Sequence, residues 1–167
     1  TATLEEGLGG GRVVRVMPNT PALVGAGVSA LCGGARATAA DLDLAGQLLG
    51  AVGTVVRVAE ADMDAVTAVS GSGPAYIFYV MEAMLAAAAR LGLTDEVARQ
   101  LVYGTVGGAA RLVTETGQPP AELRERVTSK GGTTAAALDV LRQRDVAAGL
   151  VEAMVAAHRR SQELSKG

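Results

Sequence analysis

TVVRVAEADMDAVTAV, residues 54–69, holds the change in character that decides the fold. Its first five residues, Thr54 to Val58, are mostly β-branched and read as a strand. From Ala61 to Val69 the spacing of apolar residues is that of a short helix. Everything before this point is short and β-like, and everything after it is long and helical.

Upstream, Arg12 to Val16 (RVVRV) reads as a strand that ends at the breakers Pro18 and Pro21. Val28 to Cys32 (VSALC) reads as a second strand. Thr38 to Gly50 reads as a helix, with Thr38 as N-cap and Leu42, Ala45, Leu48 and Leu49 as its apolar stripe. Gly53 ends that helix and leads into the strand over 54–58. Short strands alternating with a helix predict the last part of an α/β sheet domain, over residues 1–61. TATLEEGLGGG, the first eleven residues, has neither a basic leader nor an apolar run. It starts in mid-pattern without Met and reads as a cut edge.

Downstream, residues 62–167 read as an all-helical domain. Ser70 to Gly73 interrupts the helix over 61–69. Pro74 suits the first position of the next helix, with Ser72 or Gly73 as cap, and that helix runs to Leu91. Thr94 caps a helix to about Thr116, with Gly104, Gly107 and Gly108 inside it. Each mid-helix glycine costs about 1 kcal/mol relative to Ala, so the three predict close helix contact. Further helices are expected over Pro120–Val127 and Thr133–Gln143, with Thr128–Gly132 as a loop between them. Asp145 caps the last helix, to about Leu164.

Formal net charge is −2, from 15 Lys plus Arg and 17 Asp plus Glu, mixed along the chain. No basic stripe points to nucleic acid. Ala65 to Ala89 carries one charge, Glu82, but Ser70–Pro74 breaks it. The remaining run, Ala75 to Ala89, is shorter than the roughly 20 residues a membrane span requires. A helix buried inside protein explains it instead. Apolar residues make up 49% of the chain but aromatics only 2%, so the core must be built from Ala, Val, Leu and Met. So thin a core predicts a partner chain that completes it. The single cysteine, Cys32, excludes an intrachain disulfide and fits a reducing compartment.

Three segments could carry chemistry, although each alone also reads as an ordinary turn or helix start. Met17-Pro18-Asn19-Thr20-Pro21 follows a strand, where α/β sheets collect ligands. Ser70-Gly71-Ser72-Gly73-Pro74 opens the apolar helix, and its glycines admit a close approach. It is not a dinucleotide fingerprint, because Tyr76 stands where the third Gly or Ala belongs. Ser129-Lys130-Gly131-Gly132-Thr133-Thr134 opens another helix. Its successive N–H groups and flanking hydroxyls suit a carboxylate or a phosphate. It lacks the P-loop spacing. His158 beside Arg159 and Arg160 reads as a solvated face, and no spacing suggests a metal site or a hydrolytic triad.

In this order, MPNTPALVGAG (17–27), DAVTAVSGSGPAYIFYVMEAM (64–84) and ELRERVTSKGGTTAAALDVL (122–141) resemble successive blocks of the pyrroline-5-carboxylate reductases. The resemblance covers essentially the whole chain but not the whole enzyme, since the Gly-rich phosphate turn of the cofactor domain has no counterpart here. It implies a mixed α/β remnant followed by an all-α bundle, the latter a 6-phosphogluconate-dehydrogenase-like dimerisation domain. It further implies a cytoplasmic homodimer, able to build rings, that reduces 1-pyrroline-5-carboxylate to proline with NADPH or NADH. The substrate carboxylate would lie on Gly131, Gly132 and Thr133 with help from Ser129. The Thr134 hydroxyl would meet the ring nitrogen as the catalytic contact, and Glu115 matches a position near that loop. Met17, Pro18, Asn19, Thr20, Pro21 and Pro74 would line the nicotinamide. Lys130 departs from the family pattern, which usually has Pro there. An oligomerisation module without activity, and another two-domain imine or 2-oxo-acid reductase, are the competing expectations.

Overall fold

The structure, a computed structural model, describes residues 1–165. The chain divides into two compact units, residues 1–76 with the chain from Glu152 on, and Ile77–Val151.

The first unit is built on a three-stranded sheet in the order β1-β2-β3, with β1 at Val14–Met17, β2 at Gly27–Gly33 and β3 at Gly53–Arg57. β1 runs antiparallel to β2, and β3 runs parallel to it through the crossover helix α2, Ala39–Gly50. β2, the central strand, is apolar apart from Ser29 and buried from Ser29 to Cys32. Ala30, Cys32 and Met63 form the core, with Met17, Val58 and Val66 packed on it. Thr38 caps α2 in a reciprocal box: its side chain accepts from the Asp41 N–H, and Asp41 accepts from the Thr38 N–H. The Thr38 hydroxyl's bond to the Asp41 carboxylate, then its backbone bond, lower the Asp41 pKa; Arg12 contributes to the same effect.

The strand expected at Arg12–Val16 starts two residues later and ends one later, at Met17. Val13 still accepts a bond from the Gly34 N–H, 2.9 Å, ahead of the regular ladder. α1, Ala2–Gly7, falls where no element was expected. The short helix expected over 61–69 is three tight pieces: a 3-10 turn at Glu60–Asp62, α3 at Met63–Val66 and a π-turn at Thr67–Gly71. Ser70 and Gly71 are therefore helical, and the interruption shrinks to Ser72.

The helical elements that follow are α4 (Gly73–Arg90), α5 (Asp95–Thr116), α6 (Pro120–Arg126), α7 (Thr133–Gln143) and α8 (Val146–Leu164). Pro74 is the second residue of α4 rather than the first. Thr94 caps α5 as expected, accepting from the Val97 N–H, and Gly117 ends it at φ 65°. Asp145, at φ 50°, precedes α8. In the unit of residues 77–151 the buried side chains are Ala88, Ala98 and Val102. The apolar helix α4 is thus not enclosed by this chain: Phe78 is 54% and Tyr79 73% exposed. No helix among the described residues is long and apolar enough to cross a membrane.

Candidate functional site

β1 ends at Met17, and Pro18 follows it directly. The antiparallel register pairs Met17 with Ala30, so continuing it would set Asn19 opposite Val28. Asn19 keeps extended backbone, φ −129° and ψ 165°. Its side chain takes the place of the lost ladder bond: the Val28 N–H donates to Asn19 Oδ1 at 2.8 Å.

The other end of the same amide reaches the α3–α4 junction. Asn19 Nδ2 donates to the Ser70 carbonyl at 3.3 Å and to Ser70 Oγ at 3.4 Å. In a regular helix the carbonyl of residue 70 would accept from the N–H of residue 74. Residue 74 is proline and has none. The π-turn adds to the offset, with Ser72 N–H bonding the Thr67 carbonyl at 2.8 Å and Ala75 N–H the Ser72 carbonyl at 3.0 Å. Tyr76 Oη closes the turn from below, donating to the Ala68 carbonyl at 3.1 Å.

Met17 secures the same junction by packing. Its side chain lies over Gly71, where a Cβ would collide with Met17 Cε. Met17–Pro21 and Ser70–Pro74, distant in sequence, therefore form one patch of the first unit. Met17, Asn19, Pro21 and Pro74 are half-buried in it, and Pro18 and Thr20 are exposed. The space beside Gly73 is open, with nothing within 4 Å of a Cβ built there. This surface carries no charged residue. Sequence reasoning identified both segments but not their bond. The available signal was Pro74, four residues after Ser70, which leaves the Ser70 carbonyl without a helical donor.

The third segment belongs to the second unit. Gly132 N–H bonds the Ser129 carbonyl at 3.0 Å, and Gly131 turns through φ 73°, where a side chain would be strained. Ser129 Oγ sits over Gly132, in space that a Cβ would occupy. Gly132 is the N-cap of α7, and no side chain bonds the helix start. The first-turn N–H groups are thus left for another acceptor. Thr134 is half-buried, while Ser129, Lys130 and Thr133 are exposed. Glu115 is held on its own helix by Arg111, whose Nε donates to it at 2.6 Å; no described hydrogen bond joins it to the loop. No group of His, Cys, Asp or Glu that could hold a metal ion occurs among the described residues.

Residues 60–164 match the family described as pyrroline-5-carboxylate reductase dimerisation. The chain belongs to the pyrroline-5-carboxylate reductase family. It is 49% identical over 167 residues to the pyrroline-5-carboxylate reductase of Pseudomonas aeruginosa, covering 99% of this chain and 61% of that one. A solved pyrroline-5-carboxylate reductase from Coxiella burnetii superposes with a TM-score of 0.93 at 44% identity, over 98% of this chain and 62% of the other. The Plasmodium falciparum enzyme, solved with NADP bound, gives 0.91 at 32% identity, over 97% and 66%. The chain spans 62%, 61% and 61% of the lengths of three curated reductases it matches. The small sheet followed by a helical region is thus the architecture shared with these reductases.

Proposed function

We propose that this chain is the substrate-binding and dimerisation part of an enzyme that reduces 1-pyrroline-5-carboxylate to proline, a step of proline biosynthesis in the cytoplasm. The observation that carries this reading is the family match over 60–164, which includes the Ser129–Thr134 loop. The domain boundary falls at 61/62, just after the last strand. The helical domain takes the 6-phosphogluconate-dehydrogenase-like form and pairs with that of a second copy, with rings of such dimers as a further assembly.

NADPH or NADH, when bound, supplies the hydride that adds to the C5=N carbon of the substrate. Met17, Pro18, Thr20, Pro21 and Pro74 present an apolar wall to its ring, and Asn19 belongs to the same patch. At the other segment, the N–H groups of the first turn of α7, from Thr133 on beside Gly132, receive the substrate carboxylate, where the start of α7 favours an anion. Gly131 permits the turn that aims them. Ser129 Oγ, already over Gly132, adds a donor. Thr134 Oγ1 hydrogen-bonds the ring nitrogen, and the family resemblance assigns Glu115 a place near this loop. Lys130 adds a positive charge beside the carboxylate.

The exposed apolar faces of α4 and α5 favour a second reading, a self-associating module that is inactive without the phosphate-binding part of the cofactor domain. Both are tested by following reduced-nicotinamide absorbance with the full-length protein and 1-pyrroline-5-carboxylate. Substrate-dependent oxidation of the cofactor is expected. Its absence in folded, dimeric full-length protein would discard the reductase reading and leave the module.

A further inference from the structure

We infer that Asn19 is a positioning residue that clamps the Met17–Pro21 turn to the start of α4, and that it does not itself bind the cofactor. The role rests on the reductase reading, but the bond it depends on does not.

The inference follows from what each end of the amide is given. Asn19 Oδ1 accepts from the Val28 N–H at 2.8 Å, and Nδ2 donates to Ser70 O and Oγ at 3.3 and 3.4 Å. A backbone N–H at one end and a backbone carbonyl at the other fix the amide's orientation. Neither backbone group has its regular partner: β1 ends before the Asn19 carbonyl can accept from Val28, and Pro74 leaves Ser70 without its helical donor. Two part-buried backbone groups without partners would each be costly, so the amide is committed to the protein. Little of it remains to offer a ligand. What it offers instead is distance. Met17 and Pro21 on one side of the clamp, and Pro74 on the other, are the half-buried apolar residues of the wall. The side chain that joins Val28 to Ser70 sets how far apart they stand.

A positioning role and a binding role separate in kinetics. A ring held slightly out of place loses rate, because an ångström of misplacement can cost 10²-fold. Cofactor affinity depends largely on the pyrophosphate and ribose contacts, which lie in the first βα turn of such domains. In the full-length protein, Asn19→Ala removes both halves of the clamp. Asn19→Asp keeps an acceptor for Val28 but sets a second oxygen against the Ser70 carbonyl. Hydrogen exchange at the Val28 amide should accelerate in Asn19→Ala and remain slow in Asn19→Asp. Both variants should lose kcat on the order of 10- to 100-fold, with the Kd for NADPH nearly unchanged.

The inference is overturned if NADPH Kd rises in step with the loss of kcat/KM, which would make Asn19 a ligand. It is also overturned if Val28 exchange is unchanged in Asn19→Ala, or if Asn19→Asp keeps wild-type kcat. If the wild-type protein reduces no pyrroline-5-carboxylate, the reductase reading fails, and Val28 exchange with the NADPH titration still decides the clamp.

Discussion

Thr134 stands half-buried in the first turn of α7, and Thr133 before it is exposed. If the Thr134 hydroxyl bonds the ring nitrogen, that bond changes during hydride transfer and acts on turnover more than on binding. Thr134→Ala in the full-length enzyme should lower kcat roughly 10- to 1000-fold, the scale of one positioned polar group. Thr133→Ala should be milder, because only the backbone of that residue is used. Steady-state kinetics on the pair decides it: wild-type kcat in Thr134→Ala with a loss in Thr133→Ala would reverse the assignment. Asp41 offers a second test at this scale. Bonds from Thr38 lower its pKa below the ordinary 3.8, so its stabilising effect is complete above 3.8 and fades as pH falls through the lower folded value. Thr38→Val removes the largest cause. An NMR titration should then show the Asp41 carboxyl moving back up towards 3.8; an unmoved midpoint would mean the capping box does not form in solution.

Elements set by local chemistry stand close to where periodicity placed them. α2 and α5 begin at their threonine caps, and β2 and β3 stand over the segments VSALC and TVVRV. What the pattern did not reveal depends on groups far apart in sequence. The π-turn at Thr67–Gly71 looks like a glycine-rich break, yet it is held by Met17 over Gly71 and by Asn19 on Ser70. The same limit applies to the site. The Ser129–Thr134 loop could be read from its own residues, whereas the patch that joins 17–21 to 70–74 needed the sheet register. Gly53 shows the element scale most directly. It reads as a helix stop, but in the sheet it has φ 148°, and a Cβ there would collide with the Gly27 carbonyl oxygen across the parallel pair. Backbone cannot swing aside as a side-chain tip can, so Gly53→Ala should destabilise the protein by about 2–4 kcal/mol. Gly50→Ala, in α2 with open space around it, should be neutral or slightly stabilising. Chemical denaturation of both variants checks this, and equal midpoints would contradict the tight β2–β3 approach.

At the scale of the whole molecule the missing quantity is cover for the helices. The unit of residues 77–151 buries only small side chains, Ala88, Ala98 and Val102, while Phe78, Leu101, Tyr103 and Val140 are each more than half exposed. An open cleft of about 420 Å³ lined by Phe78, Met81, Glu82, Leu85 and Tyr103 lies on the same unit. Patches of this kind mark association surfaces rather than a finished monomer. Gly104, Gly107 and Gly108 sharpen the point. Spaced three and four residues apart, they share a face of α5, and nothing in this chain comes within 4 Å of a Cβ at any of them. The close helix contact they predict is therefore not made within the chain. If it is made with a second copy, glycine is kept there against its helix cost so that another backbone can approach. The two cases give opposite signs. In a monomer, alanine at Gly107 would stabilise α5 by up to about 1 kcal/mol and leucine would be tolerated. In a dimer, Gly107→Leu should force the helices apart and raise the monomer fraction while helical content, read by circular dichroism, holds. Sedimentation of wild type should show at least a dimer at micromolar concentration. A stable, folded wild-type monomer, or a Gly107→Leu variant that associates as tightly as wild type, would mean that these glycines serve something other than self-association.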